Sequence, residues 1–169
     1  IPSSITEIND STFYNCSHLK KIIIPPSVES IKDKAFAFCS DLVDCQIPES
    51  VNSIESDVFA GCSKIEKVEI PPNVTKIENG TFADCKSLKV VVIPPSVKSI
   101  GKFAFKNCLS LEKIEIPSSV EFIGHNAFQG CCARDERNNA MLGLKEITLP
   151  KSLDVEDIGI PHDVKVNQF

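Results

Sequence analysis

One period constrains what this chain can fold into. Phe13, Phe36, Phe59, Phe82, Phe105 and Phe128 stand 23 residues apart; so do Cys16, Cys39, Cys62, Cys85, Cys108 and Cys131, and so do Pro2, Pro25, Pro48, Pro71, Pro94 and Pro117. Residues 65–87 read IEKVEIPPNVTKIENGTFADCKS, and residues 88–110 read LKVVVIPPSVKSIGKFAFKNCLS. A fixed period between about 20 and 50 residues is the mark of a solenoid, in which no unit can bury its own apolar face and each leans on its neighbours.

Within one unit the pattern predicts three segments. The opening L/I-x-x-V/I-x-I-P, as in Leu111, Ile114, Ile116 and Pro117, alternates as a short strand with one buried face does. Proline ends that strand, because it has no N–H to give and fixes its own φ. A second run follows, with Val28, Val51, Val74, Val97 and Val120 three residues before Ile31, Ile54, Ile77, Ile100 and Ile123. It reads as a very short strand or an extended segment. Two residues after that isoleucine come Asp10, Asp33, Ser56, Asn79, Lys102 and His125. Aspartate, serine and asparagine are good helix N-caps, so the A/V/T-F-x-x-C segment behind them is expected to be a single helical turn with Phe and Cys pointing inward.

The unit L-x-x-I-x-I-P-x-x-V-x-x-I joined to A-F-x-x-C resembles the BspA-like, or Treponema-type, class of leucine-rich repeats, over residues 1 to about 153. The resemblance implies a right-handed leucine-rich-repeat solenoid. It would carry a parallel β-sheet on one face, with short extended segments and single helical turns on the other. It also implies a secreted or cell-surface protein, often linked to adhesion, whose partner is a protein or a glycan outside the cell.

The repeats divide a single domain into a partial unit 1–18, full units 19–41, 42–64, 65–87 and 88–110, an irregular unit 111–143, and degenerate repeats over 144–169. An opening halfway through a repeat, without a cap, reads as a piece of a longer protein. The missing targeting segment is then no argument for the cytosol. In the irregular unit an insertion of about 132–143, CARDERNNAMLG, delays the next strand. It is compatible with a longer outer helix or with a charged loop. Near the end, Ile158-x-Ile160-Pro161-x-x-Val164 copies Ile22-x-Ile24-Pro25-x-x-Val28, which predicts a shortened unit with one last strand.

Composition and motifs set aside several function classes. The formal net charge of −5 leaves no basic footprint for nucleic acid. No apolar run approaches the roughly 18–20 residues of a membrane span. There is no G-x-S-x-G elbow, no G-x-x-x-x-G-K-[S/T] loop and no G-x-G-x-x-G. His18, His125 and His162 fall in unrelated repeat positions. The chain is therefore expected to be non-catalytic, to need no cofactor or metal, and to be a monomer. Six of the eight cysteines share one repeat position, where stacked side chains point the same way. A disulfide needs Cβ atoms about 3.8 Å apart, so a reduced core ladder is expected. Cys45 stands where other units carry Ile22, Val68 or Val91, and Cys132, off the ladder, is expected to be the exposed thiol. Asn9, Asn15, Asn73 and Asn79 head Asn-x-Ser/Thr sequons, which matter only in a eukaryotic secretory pathway.

The strand face is where every repeat offers equivalent exposed positions. Alternation puts Lys21/Ile23, Asp44/Gln46, Lys67/Glu69, Val90/Val92, Lys113/Glu115 and Glu146/Thr148 outward. Val90 and Val92 interrupt a series of polar rungs, so the expected partner site is this valine pair rimmed by Lys67, Glu69, Lys113 and Glu115. The alternative site is the charged loop of Arg134, Asp135, Glu136 and Arg137. The alternative function is a passive spacer that presents another domain.

Overall fold

The computed structural model of the chain describes residues 1–134, 137, 141–153 and 157–169. Its strands, in chain order, are β1 (Glu7–Ile8), β2 (Lys21–Ile23), β3 (Ser30–Ile31), β4 (Asp44–Gln46), β5 (Ser53–Ile54), β6 (Lys67–Glu69), β7 (Lys76–Ile77), β8 (Val90–Val92), β9 (Ser99–Ile100), β10 (Lys113–Glu115), β11 (Phe122–Ile123), β12 (Cys132–Arg134), β13 (Met141–Gly143), β14 (Glu146–Leu149) and β15 (Lys165–Gln168). Strands β2, β4, β6, β8, β10, β14 and β15 form the strand face of a parallel solenoid, and the short β1, β3, β5, β7, β9 and β11 form a second column. In the regular coils each residue pairs with the one 23 later, as in Glu7 with Ser30 and Lys67 with Val90.

The proline corner turns the chain between the columns. Val28 N–H donates to Pro25 O at 3.0 Å, and Val51, Val74, Val97 and Val120 repeat the bond. The corner serines then tie coil to coil: Ser27 Oγ donates to Ile5 O, and Ser50 Oγ to Val28 O, both at 2.7 Å.

The A-F-x-x-C segment is not helical, which corrects the sequence expectation. Its N–H groups alternate in direction. Ala35 and Ala37 donate back to Lys32 and Lys34 at 3.2 and 3.0 Å. Lys34, Phe36 and Phe38 donate sideways to Ser56, Val58 and Ala60 of the next coil at 3.0, 3.0 and 2.6 Å. An α-helix is about 10 Å wide, so helices cannot stack at a strand spacing of about 5 Å, whereas a flat string of turns can. The expected caps also serve the neighbour: Asp33 Oδ1 accepts from Ser56 N–H, and Asn79 Oδ1 from Lys102 N–H, each at 2.8 Å.

This turn geometry needs two left-handed residues per coil. They are Ser11 and Asn15, Lys34 and Phe38, Asp57 and Gly61, Gly80 and Asp84, Phe103 and Asn107, and Asn126 and Gly130. Glycine, asparagine and aspartate suit that conformation. Phe38 does not, and its ring lies over Gly61, where an added Cβ would come within 2.6 Å of Phe38 Cδ1.

Stacking of coils builds the core. Successive rings from Phe13 to Phe128 lie near parallel with centroids 5.2, 5.5, 5.7, 5.6 and 5.5 Å apart. All eight cysteines are free thiols. Along the ladder each thiol donates to a phenylalanine carbonyl of the preceding coil: Cys39 to Phe13, Cys62 to Phe36, Cys85 to Phe59, Cys108 to Phe82 and Cys131 to Phe105, at 2.8–3.2 Å. The same carbonyl also accepts the cysteine N–H of its own coil, as Phe36 O does from Cys39.

Two further expectations are corrected at the C-terminal end. Strands β12 and β13 form an antiparallel hairpin, so the two ends of the insertion are strands and not part of a helix; Asp135, Glu136 and Ala140 of the expected helix or charged loop lie outside the described residues. Gly143 closes it, with φ +75 and no room for a Cβ, which would sit 1.9 Å from Cys131 O. A last strand is present, but it is β15, paired with β14, and not residues 158–160. Ile158 O accepts from Phe128 N–H at 2.9 Å, so Ile158 takes the place of the next convex segment. Pro161 to Val164 then forms the corner before the strand instead of after it, with Val164 N–H on Pro161 O at 3.1 Å.

Phe82 is 1% exposed and stacked on both sides. Replacing it with alanine is expected to cost about 3–5 kcal/mol, since a cavity opens in a packed core. Urea denaturation would show it, and a midpoint unchanged from the parent would mean the ring carries no packing.

Candidate functional site

The strand face is an array of outward side chains held by a rigid stack. Val90 and Val92 are 47% and 48% exposed, while Val91 between them is half-buried. The alternation expected from the sequence therefore holds at this rung. On the adjacent rungs Lys67 Nζ meets Glu69 Oε1 at 2.5 Å, and Lys113 Nζ meets Glu115 Oε1 at 3.3 Å. The four rim residues thus pair within their own strands, and none reaches across the valines. Such exposed pairs are screened by water and hold little energy.

The sheet is not continuous. Hydrogen-bonded pairing joins β2 to β4, β6 to β8, and β10 to β14 and β15, but does not join β4 to β6 or β8 to β10. A shallow depression lies at each of these breaks. One, of about 440 Å3, is lined by Val90, Val91, Val92 and Ile93 on one side and Lys113, Ile114 and Glu115 on the other. A larger one, of about 790 Å3, lies over β2, β4 and the start of β6, with Ile23, 74% exposed, among Lys21, Asp44, Gln46 and Lys67. Sequence alternation identified Ile23 as outward but gave no sign of either depression.

The alternative loop is only partly placed. Arg134 belongs to β12 and Arg137 is exposed in a turn, while Asp135 and Glu136 lie outside the described residues.

Nothing like a catalytic constellation forms among the described histidines. His18 sits 3.6 Å from Asp41, His125 contacts Asp157 at 3.0 Å, and His162 is exposed near the final corner. Among the described residues no group of three His, Cys, Asp or Glu side chains is placed to hold a metal ion. No described helix is long and apolar enough to cross a membrane.

The thiols are set for packing. Burial pushes the Cys39 thiol up to about 11 and the Cys45 thiol to about 12, and it also raises Cys62, Cys85 and Cys108 well above the ordinary thiol value. Cys132 corrects the sequence expectation. It is half-buried, donates to Leu144 O at 3.1 Å, and burial raises its thiol to about 11. The exposed cysteine is Cys16, the first of the ladder.

The description that matches the chain is the BspA type leucine rich repeat region, in 6 copies over residues 1–134. The chain belongs to the BspA-type leucine-rich repeat family. Among solved structures this BspA-type chain is similar to a leucine rich cell surface protein from Faecalibacterium prausnitzii, with 30% identity and a TM-score of 0.74, covering 90% of this chain and 54% of that one. It is similar to a leucine-rich repeat protein from Eubacterium ventriosum, with 29% identity and a TM-score of 0.58 over 83% of this chain and 46% of that one. It is also similar to the leucine rich repeat protein of T. pallidum, with 26% identity and a TM-score of 0.53 over 88% and 56%. The BspA-type chain thus spans about half the length of these solved relatives. No curated protein matches it significantly.

Burial of the thiols predicts a pH dependence. The folded values of Cys39 and Cys45 lie above the ordinary thiol value of about 9.0, so between pH 9 and about 11 or 12 the unfolded chain releases protons that the folded chain keeps. This part of the stability is complete below pH 9 and is lost as pH rises through that window. Denaturation midpoints should fall there, and fall less in Cys45→Val, which carries the residue of the neighbouring rungs. At neutral pH a thiol reagent should modify Cys16 first and leave the buried ladder unreacted until the protein unfolds.

Proposed function

We propose that the chain is a non-catalytic recognition module that docks a protein or glycan partner across its strand face, centred on Val90 and Val92. The carrying observation is the half-exposed valine rung beside a depression, between two rungs whose charges are already paired. Residues pointing away from the core owe little to folding, so an apolar rung in water is better explained by contact than by stability. Polar rims around apolar centres are usual at interfaces. The similarity to a protein described as a cell surface protein supports action outside the cell, with adhesion to host cells or matrix as one such role. A spacer would need no distinct rung.

The test takes a macromolecule retained by the wild-type chain from a cell-surface or matrix extract. Val90→Asp combined with Val92→Lys should abolish retention and leave circular dichroism and the melting midpoint unchanged. Apolar centres carry more binding energy than rim charges, so Lys67→Glu should weaken retention only slightly. Deletion of residues 134–140 should have no effect. If the deletion abolishes retention and the valine pair does not, the loop of Arg134, Asp135, Glu136 and Arg137 is the site. If neither variant matters, the spacer reading stands.

A further inference from the structure

The partner chemistry can be narrowed from the charges of the same face. Its outward positions on the described strands carry four lysines and four carboxylates. Lys21 pairs with Asp44 at 2.7 Å, Lys67 with Glu69 at 2.5 Å, Lys113 with Glu115 at 3.3 Å and Lys165 with Glu146 at 3.6 Å. The face is therefore neutral, although the whole chain carries −5. The depression beside β8 repeats this closure at its ends. Lys89 is held by Glu66 at 2.9 Å, and Glu112 by Lys145 at 2.8 Å. Every charged residue lining that depression already has its counterion.

We infer that the occupant of this depression is an uncharged, apolar segment of a protein partner; the inference rests on the strand-face reading above. Charge complementarity runs against the other classes. Polyanions such as nucleic acid or sulfated glycan bind by displacing counterions from free cations, and here each lysine would first have to leave its carboxylate. A neutral glycan meets a different obstacle. The uncharged lining of the depression is Val90, Val91, Val92, Ile93 and Ile114, none of which has a side-chain donor or acceptor. Sugar hydroxyls pressed against these side chains would lose water and find partners only in the backbone along the break, at a cost of about 1–3 kcal/mol for each one left unpaired. Apolar side chains meet neither penalty, and their burial against the valines is the favourable term that this surface offers. The larger depression at β2 and β4 lacks this selectivity, because Gln46, Glu49 and Asp44 line it beside Ile23.

Terminally blocked peptides test this directly. One alternates valine and threonine; two others replace the threonines with glutamate or with lysine; heparin and a neutral dextran complete the set. Binding is read from the methyl resonances of Val90 and Val92, which report contact even when it is weak. The neutral peptide should shift these methyls, with an affinity that changes less than about twofold between low salt and about 0.5 M salt. Val90→Thr with Val92→Thr keeps the branched shape and should weaken the peptide about tenfold, or about 1.4 kcal/mol. Tighter, salt-dependent binding of heparin or of a charged peptide at these methyls would overturn the inference and leave the strand-face reading intact. So would preferential binding of dextran there. If no probe shifts the methyls, the inference fails; if the extract partner also fails to depend on Val90 and Val92, the strand-face reading fails with it.

Discussion

The structure depends on hydrogen bonds that leave one coil for the next at every second residue of the convex segment. The bonds from Lys34, Phe36 and Phe38 to Ser56, Val58 and Ala60 hold adjacent coils at strand spacing on the side where there is no regular sheet. Phenylalanine rings can then stack at 5.2–5.7 Å. The small buried thiol then reaches the carbonyl of the preceding coil. A buried carbonyl has two lone pairs, and leaving either unused inside the stack has a cost. Cysteine N–H takes one and the next cysteine S–H takes the other. Cys therefore recurs three residues behind Phe: its N–H and S–H fill the acceptor sites of the phenylalanine carbonyls.

Much of this was legible from sequence, because side chains that stack must repeat. Phe, Cys, Pro and the Val/Ile pair identified the core in register. The local conformation of the convex segment was not legible in the same way. Asp33 and Asn79 look like helix caps when judged on their own repeat, yet their side chains bond to the neighbouring coil. The left-handed positions did leave a trace. Asn15, Gly61, Asp84, Asn107 and Gly130 occupy one repeat position and all suit positive φ. Phe38 hid that trace by occupying the same position at about 1–3 kcal/mol of backbone strain, with its ring received by Gly61 and edged by Tyr14. At the C-terminal end the motif Ile158-x-Ile160-Pro161-x-x-Val164 identified a corner correctly and a strand wrongly. Proline and valine define the turn itself, and nothing in them says on which side of it the strand lies.

The candidate site divides the same way. Outward parity was readable, since a strand with one buried face alternates, and Val90 and Val92 are exposed as that rule requires. The depressions were not readable. They arise where β4 and β6, and β8 and β10, lie side by side without paired backbones, a property of neighbouring coils that no single repeat encodes. The pairing of charges was hidden as well. From spacing alone Lys67 and Lys113 could turn toward either flanking strand; the folded face shows each turned to a glutamate two residues along its own strand.

A solenoid of this kind separates two kinds of information by the direction a side chain takes. Inward positions are fixed by neighbours on both sides, so changing one of them disturbs three coils together. Outward positions on the strand face answer to water, and exposed ion pairs there contribute little to folding. Differences among outward rungs are therefore only weakly constrained by the fold. Valine in a strand gains somewhat from β propensity, but that gain is open equally to every rung, and most rungs carry lysine, glutamate, aspartate or glutamine instead. Two neighbouring outward valines, beside a gap in the sheet and with the charges around them paired, are the departure from that pattern on which the proposed contact with an apolar partner rests.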